Sequence, residues 1–488
     1  MDQLSSLPDI ILHNILSRLP ETDVVRTSVL SKAWLEKWYT FPILSFHDGY
    51  ILKCLPPIQD IEMNRNIVRK RNTLIFCDYV KKRMQRFCDQ SLTIKEFKLE
   101  VEDWHTFGLP YMSKDVDVWL KLAGESGVEV IEISQDRLEG DRQYYVLPMD
   151  VILVKSLTKL VLKREIRMDL TFMNHSTKFF SLRVLTLFAI LLEDERKIEH
   201  FISFCPLLEY ITLEFCYVLN RSGTSDLLTW KTFGIMKSLS LNGLQKLKGV
   251  RFFGVQDVFI DAPSLEELAY RPGRMNTPFI IDFERCRNLK KLYFKKTKTF
   301  FTDKWFLEQF PKFPFLESLE LIFCSMSKKI DISSVRLKIL KLTFCRGLKE
   351  IKIDAPNLLL CEYAFTRSIP IIHFLRSSSQ LEVNVDFKMH YQSIYNMKRF
   401  VQNIKPLNVL VSLSLYLSIF SPPKNVLEAM KRKVLKVSSP PPSIKKLHVY
   451  FSPKDETYYQ PHNTTVFTPL VNIILLSCCP ATISLSNG

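Results

Sequence analysis

Glycine is scarce in this sequence, with 13 residues among 488. Soluble proteins average about 7% glycine, and glycine is what lets a backbone approach a phosphate closely. The nucleotide motifs G-x-x-x-x-G-K-[ST] and G-x-G-x-x-G are missing, as are the metalloprotease motif H-E-x-x-H and the nucleophile motif G-x-S-x-G. The sequence therefore does not predict an enzyme, and we expect neither a cofactor nor a metal ion.

Cysteine and histidine also lack the spacing of metal ligands. None of the 11 cysteines forms a C-x-x-C pair, and histidine occurs only 9 times. Several cysteines stand inside apolar runs, which indicates reduced and buried thiols rather than a disulfide framework. These are Cys216, Cys324, Cys345 and Cys361.

Long apolar runs are absent too. The longest stretches, VLVSLSLYLSIF and LVNIILLSCC, are shorter than the roughly 18 residues that span a bilayer. The opening residues MDQLSSLPD have neither the basic segment nor the apolar segment of a secretory signal. We expect an intracellular protein, in the nucleus or the cytoplasm or both, without membrane contact. Its net charge of +16 is compatible with acidic partners.

What the sequence does contain is a recurring pattern, L-x-x-L-x-L. Its clear copies begin at 157, 182, 208, 236, 265, 289, 316, 337, 348 and 358, with weaker ones at 94, 128, 410 and 444. From 160 to 319 the fourth positions are 24 to 29 residues apart. Leucine-rich repeats have a period of about 20 to 29 residues. The spacing predicts a leucine-rich-repeat solenoid.

The physics of the pattern supports that prediction. Alternate residues of a strand share one face, and a single strand cannot bury its own leucines, so stacked strands form a curved parallel sheet with a continuous core. Between two copies, DERKIEHFISF (194–204) has helical spacing. Between 337 and 358 the copies start only 10 or 11 residues apart, which leaves room for turns and strands but no helix.

Side chains between the leucines are predicted to line the concave face of the sheet. Early copies place Glu96, Lys98, Glu100 and Glu132 there, whereas later ones place lysines and aromatic residues. This face is either a solvated lysine-rich surface or a docking surface for an acidic or phosphorylated target. The candidate target-binding residues are Lys291, Tyr293, Lys295, Lys341 and Lys352, and Lys446, His448 and Tyr450 continue the face.

The first 40 residues form a different kind of unit. In LPDIILHNILSRLPETDVVRTSVLSKAWLEKW (7–38), apolar residues recur at helical spacing and Pro20 interrupts them. Ser6, Thr22 and Ser31 can each cap a helix, which predicts three short helices. A unit this small cannot bury all of its apolar residues by itself. Some of them must pack on the repeats or on another protein.

This segment resembles an F-box, in the form found in plant F-box proteins with leucine-rich repeats. The resemblance continues through FCDYVKKRM, CPLLEYITLEFC, the paired turns FIDAPSLEELAY and KIDAPNLLLCEY, and CCPATISL. It implies that the F-box docks on the Skp-type adaptor of a cullin-RING ubiquitin ligase. The implied adaptor-binding residues are Leu7, Pro8, Ile11, Leu12, Ile15, Leu16, Leu19, Pro20, Val25, Leu30, Trp34 and Trp38.

The sequence departs from the family at three F-box positions. Ile10 stands where the family usually has an acidic residue, and Ala33 and Leu35 stand where it often has arginine. The common C-terminal FBD segment is not clearly recognisable after residue 400. There, SSPPPSIKK (438–446) predicts a proline-rich turn before a last strand, KLHVYF.

These observations predict an α/β fold, a three-helix F-box followed by a solenoid with a curved parallel sheet. The predicted divisions are an F-box at 1–46, a helical connector at 47–90, the solenoid at 91–400, and C-terminal repeats with a proline-containing tail at 401–488. The leading functional hypothesis is the substrate-recognition subunit of an SCF-type ubiquitin ligase. The alternative is a basic leucine-rich scaffold that binds an acidic protein or nucleic acid without ligase assembly. No residue supports a small-molecule receptor.

Overall fold

The fold is described for part of the chain in a computed structural model. The chain divides into two compact units, 1–262 with 279–283 and 263–278 with 284–488. The described residues are 7–19, 21–53, 65–102, 106–136, 143–148, 154–169, 181–219, 233–274, 277–298, 300–365, 370–390, 404–405, 410–419, 428, 432, 443–453, 472, 474–475 and 478–487.

The first unit begins with short helices. As predicted, three of them lie within the first 40 residues, and a long helix follows whose apolar row Phe76, Val80, Met84 and Phe87 is fully buried. A helix also forms in the stretch 194–204, as its spacing predicts. The helices of this unit are α1 (Asp9–Leu16), α2 (Glu21–Thr27), α3 (Lys32–Thr40), α4 (Asp48–Lys53), α5 (Arg65–Asp89), α6 (Ser113–Glu125) and α7 (Glu195–Ser203).

Two parallel sheets make up the rest of the first unit. The main sheet runs in the order β1 (Ile43–His47), β2 (Glu96–Glu102), β3 (Val130–Asp136), β5 (Lys159–Lys163), β7 (Val184–Phe188), β9 (Tyr210–Glu214) and β12 (Gly249–Phe253). The outer sheet runs in the order β4 (Tyr145–Leu147), β6 (Ile166–Met168), β8 (Leu191–Leu192), β10 (Tyr217–Leu219), β11 (Phe233–Asn242), β13 (Val255–Asp261) and β15 (Ile281–Asp282). Only β10 and β11 pair antiparallel among these described strands.

The second unit repeats the same arrangement. Its main sheet runs in the order β14 (Glu267–Arg271), β16 (Lys291–Lys295), β17 (Ser318–Ile322), β19 (Ile339–Thr343), β21 (Leu360–Phe365), β23 (Glu382–His390), β25 (Leu410–Ile419), β26 (Ser443–Pro453) and β27 (Cys479–Asn487). Its outer sheet runs in the order β18 (Lys329–Ser333), β20 (Glu350–Ala355), β22 (Ile371–Ser377) and β24 (Ile404–Lys405). Helix α8 (Asp303–Glu308) and a 3-10 turn (Phe310–Lys312) lie on the return path.

The leucines of the repeat pattern form the core, which confirms the predicted α/β class. Leu319 and Leu340 face each other across β17 and β19, and both are fully buried. Their neighbours Glu320 and Lys341 are half-buried on the opposite face. The alternation in the sequence therefore assigns the faces of these strands correctly. The thiols of Cys216, Cys324, Cys345 and Cys361 are buried, as predicted.

The sequence pattern predicts that all of its copies belong to the main sheet, and for two copies this prediction is wrong. The copy at 236–241 lies in β11 and the copy at 348–353 overlaps β20, so both belong to outer sheets. The main-sheet strand near the first of them is β12, whose sequence GVRFF has no leucine. Outer strands carry the same alternation because they bury one face against the same core. The predicted strand KLHVYF forms as part of β26, but it is not the last strand, since β27 follows it.

The turns after several main-sheet strands share one geometry. The residue that follows the strand has a positive φ at Arg164, Ala189, Phe215, Lys296, Phe323 and Phe344. Its N–H donates to the carbonyl that ends the next main-sheet strand, as in Ala189 N to Glu214 O at 2.8 Å and Phe323 N to Thr343 O at 2.8 Å. The left-handed residue turns the chain toward the outer sheet while keeping that backbone bond.

A buried carboxylate closes the junction of β1 and α4. Asp48 Oδ1 accepts from the N–H of Gly49 at 2.7 Å and of Glu102 at 2.9 Å. Its Oδ2 accepts from the hydroxyl of Thr106 at 3.0 Å. Burial raises the pKa of Asp48, although these three bonds and the neighbouring His47 oppose that shift. Asp48 thus joins the end of β2 to the start of α4.

Candidate functional site

The three N-terminal helices share a small core. Trp34 of α3 packs between the side chains of α1 and α2, and Leu7, Trp38 and Ile43 pack against this core from its edges. A core of this size stabilises the unit only modestly. Its buried members are Leu12, Leu16, Val24, Trp34 and Phe41.

Polar contacts fix the ends of these helices. Ser31 Oγ accepts from Trp34 N at 3.3 Å, which confirms the predicted cap of α3. Thr22 lies inside α2, which begins at Glu21, so it does not precede the helix as predicted. Lys37 Nζ lies 2.5 Å from Asp9 Oδ1 and lowers the pKa of that carboxyl, mainly through their hydrogen bond. The predicted cap Ser6 lies outside the described residues.

Arg83 of α5 holds the end of α3. Its guanidinium donates to the carbonyls of Trp38 and Tyr39, the second at 3.0 Å. It also lies 4.4 Å from the centroid of a Trp38 ring and 5.1 Å from that of Phe87. Burial lowers the pKa of Arg83 to about 10. A charged side chain thereby satisfies helix-terminal carbonyls and connects the helical unit to α5.

Large apolar side chains remain exposed on the helical unit. Ile11 and Ile15 of α1 and Leu19, which follows that helix, recur every four residues and are all exposed. Others are more exposed still, with 84% for Val29 and 67% for Leu30. Exposed apolar patches on folded domains commonly mark interaction sites. We define the apolar surface of the helical unit as Ile10, Ile11, Ile15, Leu19, Val25, Val29 and Leu30.

The residues that the resemblance implies for adaptor binding fall into three groups. Leu12, Leu16 and Trp34 are buried, and Leu7 and Trp38 are half-buried at the edge of the core. Pro20 lies outside the described residues. The exposed ones are Pro8, Ile11, Ile15, Leu19, Val25 and Leu30.

The main sheet of the second unit brings four of the five candidate target-binding residues together. Lys291, Tyr293 and Lys295 alternate along β16, so they share one face. Tyr293 pairs with Glu320 in β17, and Glu320 pairs with Lys341 in β19. The residues of these strands therefore form cross-strand rows.

Carboxylates accompany two of these lysines. Lys291 Nζ lies 2.7 Å from Glu267, and Lys341 Nζ lies 3.0 Å from Glu362. The hydrogen bond to Glu362 raises the pKa of Lys341. This part of the face alternates in charge, and its positive charge is partly neutralised, which the lysine content alone did not predict.

Lys352 does not belong to this surface. It lies in β20, in the outer sheet, where it pairs with Asp331 and His373 in register. The sequence placed it wrongly because the copy at 348–353 comes too soon after the copy at 337–342 to be a new main-sheet strand. Further along the main sheet, Lys446, His448 and Tyr450 share a face of β26. The ring of Tyr450 stacks on Tyr416 of β25 at 4.6 Å.

A polar cavity of about 380 Å³ lies at the ends of the main-sheet strands in the first unit. Its Lys163 lies 2.7 Å from Glu132, and its Arg164 is ion-paired with Asp136. The ring of Phe188 lies beside Arg164. The lining thus combines charged residues, several of them ion-paired, with serine, threonine and glutamine side chains and one aromatic ring.

Sequence reasoning missed Arg83, which interrupts the apolar row of α5. A single arginine in that row, beside the buried Met84, is the signal that could have revealed a charged contact inside the core.

In the part of the chain that the structure describes, no group of His, Cys, Asp and Glu is arranged to hold a metal ion. None of the described helices is long and apolar enough to cross a membrane.

Comparison with known proteins bears on both regions. Residues 4–45 match the F-box domain family, and residues 116–273 match the family described as FBD-associated F-box protein At5g56370, LRR repeats.

Individual relatives come from Arabidopsis thaliana. The chain is 30% identical to "Probable FBD-associated F-box protein At1g32375" over 56% of its own length and 57% of the relative's. It is 30% identical to F-box/LRR-repeat protein At3g03360 over 47% and 42%, and 30% identical to F-box/FBD/LRR-repeat protein At1g13570 over 44% and 44%. The chain thus spans about half the length of the curated relatives it matches. With a match to the F-box domain at its N-terminal end and a match to leucine-rich repeats after it, the chain is similar to plant F-box proteins with leucine-rich repeats.

Proposed function

We propose that this protein is the substrate-recognition subunit of an SCF-type ubiquitin ligase. The observation that carries the proposal is the apolar surface of the helical unit, which stays exposed although the unit has its own core. Burying apolar area releases roughly 25 cal/mol per Å², so such a surface favours association with an apolar partner surface. The partner in this proposal is a Skp-type adaptor, and through it a cullin.

Within the proposal the adaptor-binding residues have two roles. Ile11, Ile15, Leu19, Val25 and Leu30 contact the adaptor directly. Leu12, Leu16 and Trp34 hold the helices in position from beneath. Ile10, which stands where the family usually has an acidic residue, is 78% exposed and extends the apolar surface.

The repeats then hold the target protein. The chain performs no chemistry in this role; it raises the effective concentration of the target near a ubiquitin-loaded enzyme. The target remains proposed as acidic or phosphorylated, and the place of action as the nucleus or the cytoplasm. We keep the division into an F-box at 1–46, a connector at 47–90, a solenoid at 91–400 and C-terminal repeats at 401–488 as part of the proposal.

The test is co-purification of the full chain with a plant Skp-type adaptor. The variant is Ile15→Asp with Leu30→Asp, which places charges on the apolar surface without touching the core. Interface anchors typically contribute about 2 kcal/mol each, or roughly 30-fold in affinity, so we expect adaptor binding to be lost.

The matched control is Ile67→Asp with Leu74→Asp on α5, two apolar residues that are also exposed but lie outside the helical unit. The control should bind the adaptor at the wild-type level. Equal adaptor recovery with the Ile15→Asp, Leu30→Asp variant and wild type would contradict the proposal.

A second candidate is a basic leucine-rich scaffold without ligase assembly. The net charge of +16 and the isoleucine at position 10 favour it. It predicts that the wild-type chain does not co-purify with the adaptor. It instead binds an acidic protein or nucleic acid, with an affinity that falls as the salt concentration rises. The same purification, analysed for all three components, separates the two functions.

A further inference from the structure

Two phenylalanines in the second unit occupy turn positions that suit small residues. Phe323 follows β17 with a φ of 54°, and Phe344 follows β19 with a φ of 53°. In this left-handed region the Cβ atom crowds the following carbonyl, and glycine or asparagine is the usual occupant. A bulky aromatic residue here is an outlier that calls for an explanation.

The turn itself does not require an aromatic side chain. The equivalent residue is Ala189 after β7, Gly254 after β12 and Lys296 after β16, all with positive φ. The backbone bond is the same with each kind of side chain, since Ala189 N, Lys296 N and Phe323 N all donate at 2.8 Å to the end of the next strand. The aromatic rings are therefore not needed to close the turn.

The two rings form a partly exposed stack. Their centroids are 5.1 Å apart with an interplanar angle of 26°. Phe323 is 44% exposed, and Phe344 is half-buried. The stack gives adjacent repeats some cohesion, and it also leaves aromatic surface open to solvent.

Positively charged residues stand in the turns next to the stack, since Lys296 N donates to Ile322 O and Arg346 N donates to Cys324 O, both at 2.8 Å. The equivalent strand-end and turn residues of the preceding repeat are Lys295, Lys296 and Lys298, and Arg346 follows Phe344 by two residues and is exposed. The three strand-end segments, 295–298, 322–326 and 343–347, contain no aspartate or glutamate. We define the aromatic ledge as Phe323, Phe344, Lys295, Lys296, Lys298 and Arg346.

We propose that the aromatic ledge is the docking site for a target segment in which a large apolar or aromatic side chain is flanked by carboxylates. The inference rests on the proposed function, because it names the chemistry of the target that the repeats hold. The rings receive the apolar side chain, and the four cations attract its acidic neighbours. Single-stranded nucleic acid fits less well, because each ring already has one face covered by the other and base stacking needs open faces.

The experiment selects phage-displayed random peptides on the immobilised full chain. We expect enrichment of peptides with one aromatic or large aliphatic residue between aspartates and glutamates. The best-enriched peptide, labelled with fluorescein, is then titrated against wild type and against Phe323→Asn with Phe344→Asn. The double variant should bind about 10-fold or more weakly. Its thermal midpoint should stay the same or rise, because asparagine tolerates the left-handed conformation.

The matched control is Phe215→Asn, which removes a phenylalanine at the same turn position in the first unit and should leave peptide affinity unchanged. Adaptor recovery measured on the same samples separates failure of this inference from failure of the proposed function. A lack of enrichment, enriched peptides that bind the double variant equally well, or loss of stability without loss of affinity would each overturn it. Ledge-dependent binding of labelled oligothymidylate, with no peptide enriched, would overturn it in favour of nucleic acid.

Discussion

In α1, Leu12 and Leu16 are buried, whereas Ile11 and Ile15, each one residue earlier, are exposed. In β17 and β19 every leucine is fully buried, and the residues between them are polar or half-buried. The helical unit therefore has more apolar residues than its core can hold. In β17 and β19 the leucines at the pattern positions are covered completely, because the equivalent leucines of neighbouring strands stack against them.

The difference teaches how to interpret an apolar residue in each region. In a repeat, a leucine at the pattern position contributes to folding, and its loss leaves a cavity. In the helical unit, an apolar residue contributes either to folding or to association, and its helical spacing alone does not say which. Variants that separate these two contributions test the comparison directly.

The largest effect is expected for Leu340→Ala in the core of the repeats. Truncating a fully buried leucine typically lowers the free energy of unfolding by about 2 to 5 kcal/mol. The matched control is Lys341→Gln, which breaks an ion pair on the opposite face and should cost less than about 1 kcal/mol. Urea unfolding followed by circular dichroism measures both. Similar losses for the two variants would mean that the strand faces are assigned wrongly.

The next effect concerns the contact between the helical unit and α5. Arg83→Met removes the donor for two carbonyls of α3, and each buried group left unsatisfied costs about 1 to 3 kcal/mol. We expect faster proteolytic release of the helical unit while the repeats stay folded. Arg71→Met, at an exposed position of the same helix, is the control and should behave as wild type. An unchanged proteolysis rate in Arg83→Met would show that this arginine does not hold the unit.

A smaller, pH-dependent effect is expected at Asp48. Asp48→Ala leaves the N–H groups of Gly49 and Glu102 without this acceptor, and we expect a loss of about 1 to 3 kcal/mol at neutral pH. Asp48→Asn keeps an oxygen acceptor and should cost less.

The dependence of the free energy of unfolding on pH tests the raised pKa of Asp48. Between its ordinary value of 3.8 and its higher folded value, the folded state binds the proton more readily than the unfolded state. The stability of wild type relative to Asp48→Asn should therefore increase as pH falls through that window. A stability difference between the two proteins that does not vary with pH would contradict a raised pKa of Asp48 in the folded state.

The smallest effects are expected for charges on the main-sheet face. Lys291→Glu, Lys295→Glu and Lys341→Glu together should weaken target capture, with about 0.2 to 1 kcal/mol from each contact, and the weakening should diminish as salt rises. Lys352→Glu is the control, because that lysine lies in the outer sheet and should not affect capture. Affinity purification with the proteasome inhibited measures target and adaptor together. Equal capture by the triple variant and wild type would leave these lysines as a solvated surface.

Much of the architecture could be predicted because it depends on local patterns. The helix α7, the cap at Ser31 and the burial of Leu319 each follow from spacing or side-chain chemistry within a few residues. The strand at β12 could not, since GVRFF has no leucine at the pattern positions. The placement of 348–353 in an outer sheet depends on which strand pairs with which, and pairing is not encoded in the alternation of a single segment.

The sequence by itself determined that the chain has a small helical unit followed by leucine-rich repeats, because apolar periodicity fixes which elements form. Only the tertiary structure decided which apolar residues of α1 and α2 are core and which remain exposed, since that depends on how the helices meet around Trp34. The tertiary structure also decided that lysines of the main sheet are paired with glutamates of neighbouring repeats, and that two phenylalanines stack at strained turns. Both depend on residues more than 20 positions apart being brought side by side by parallel strand pairing.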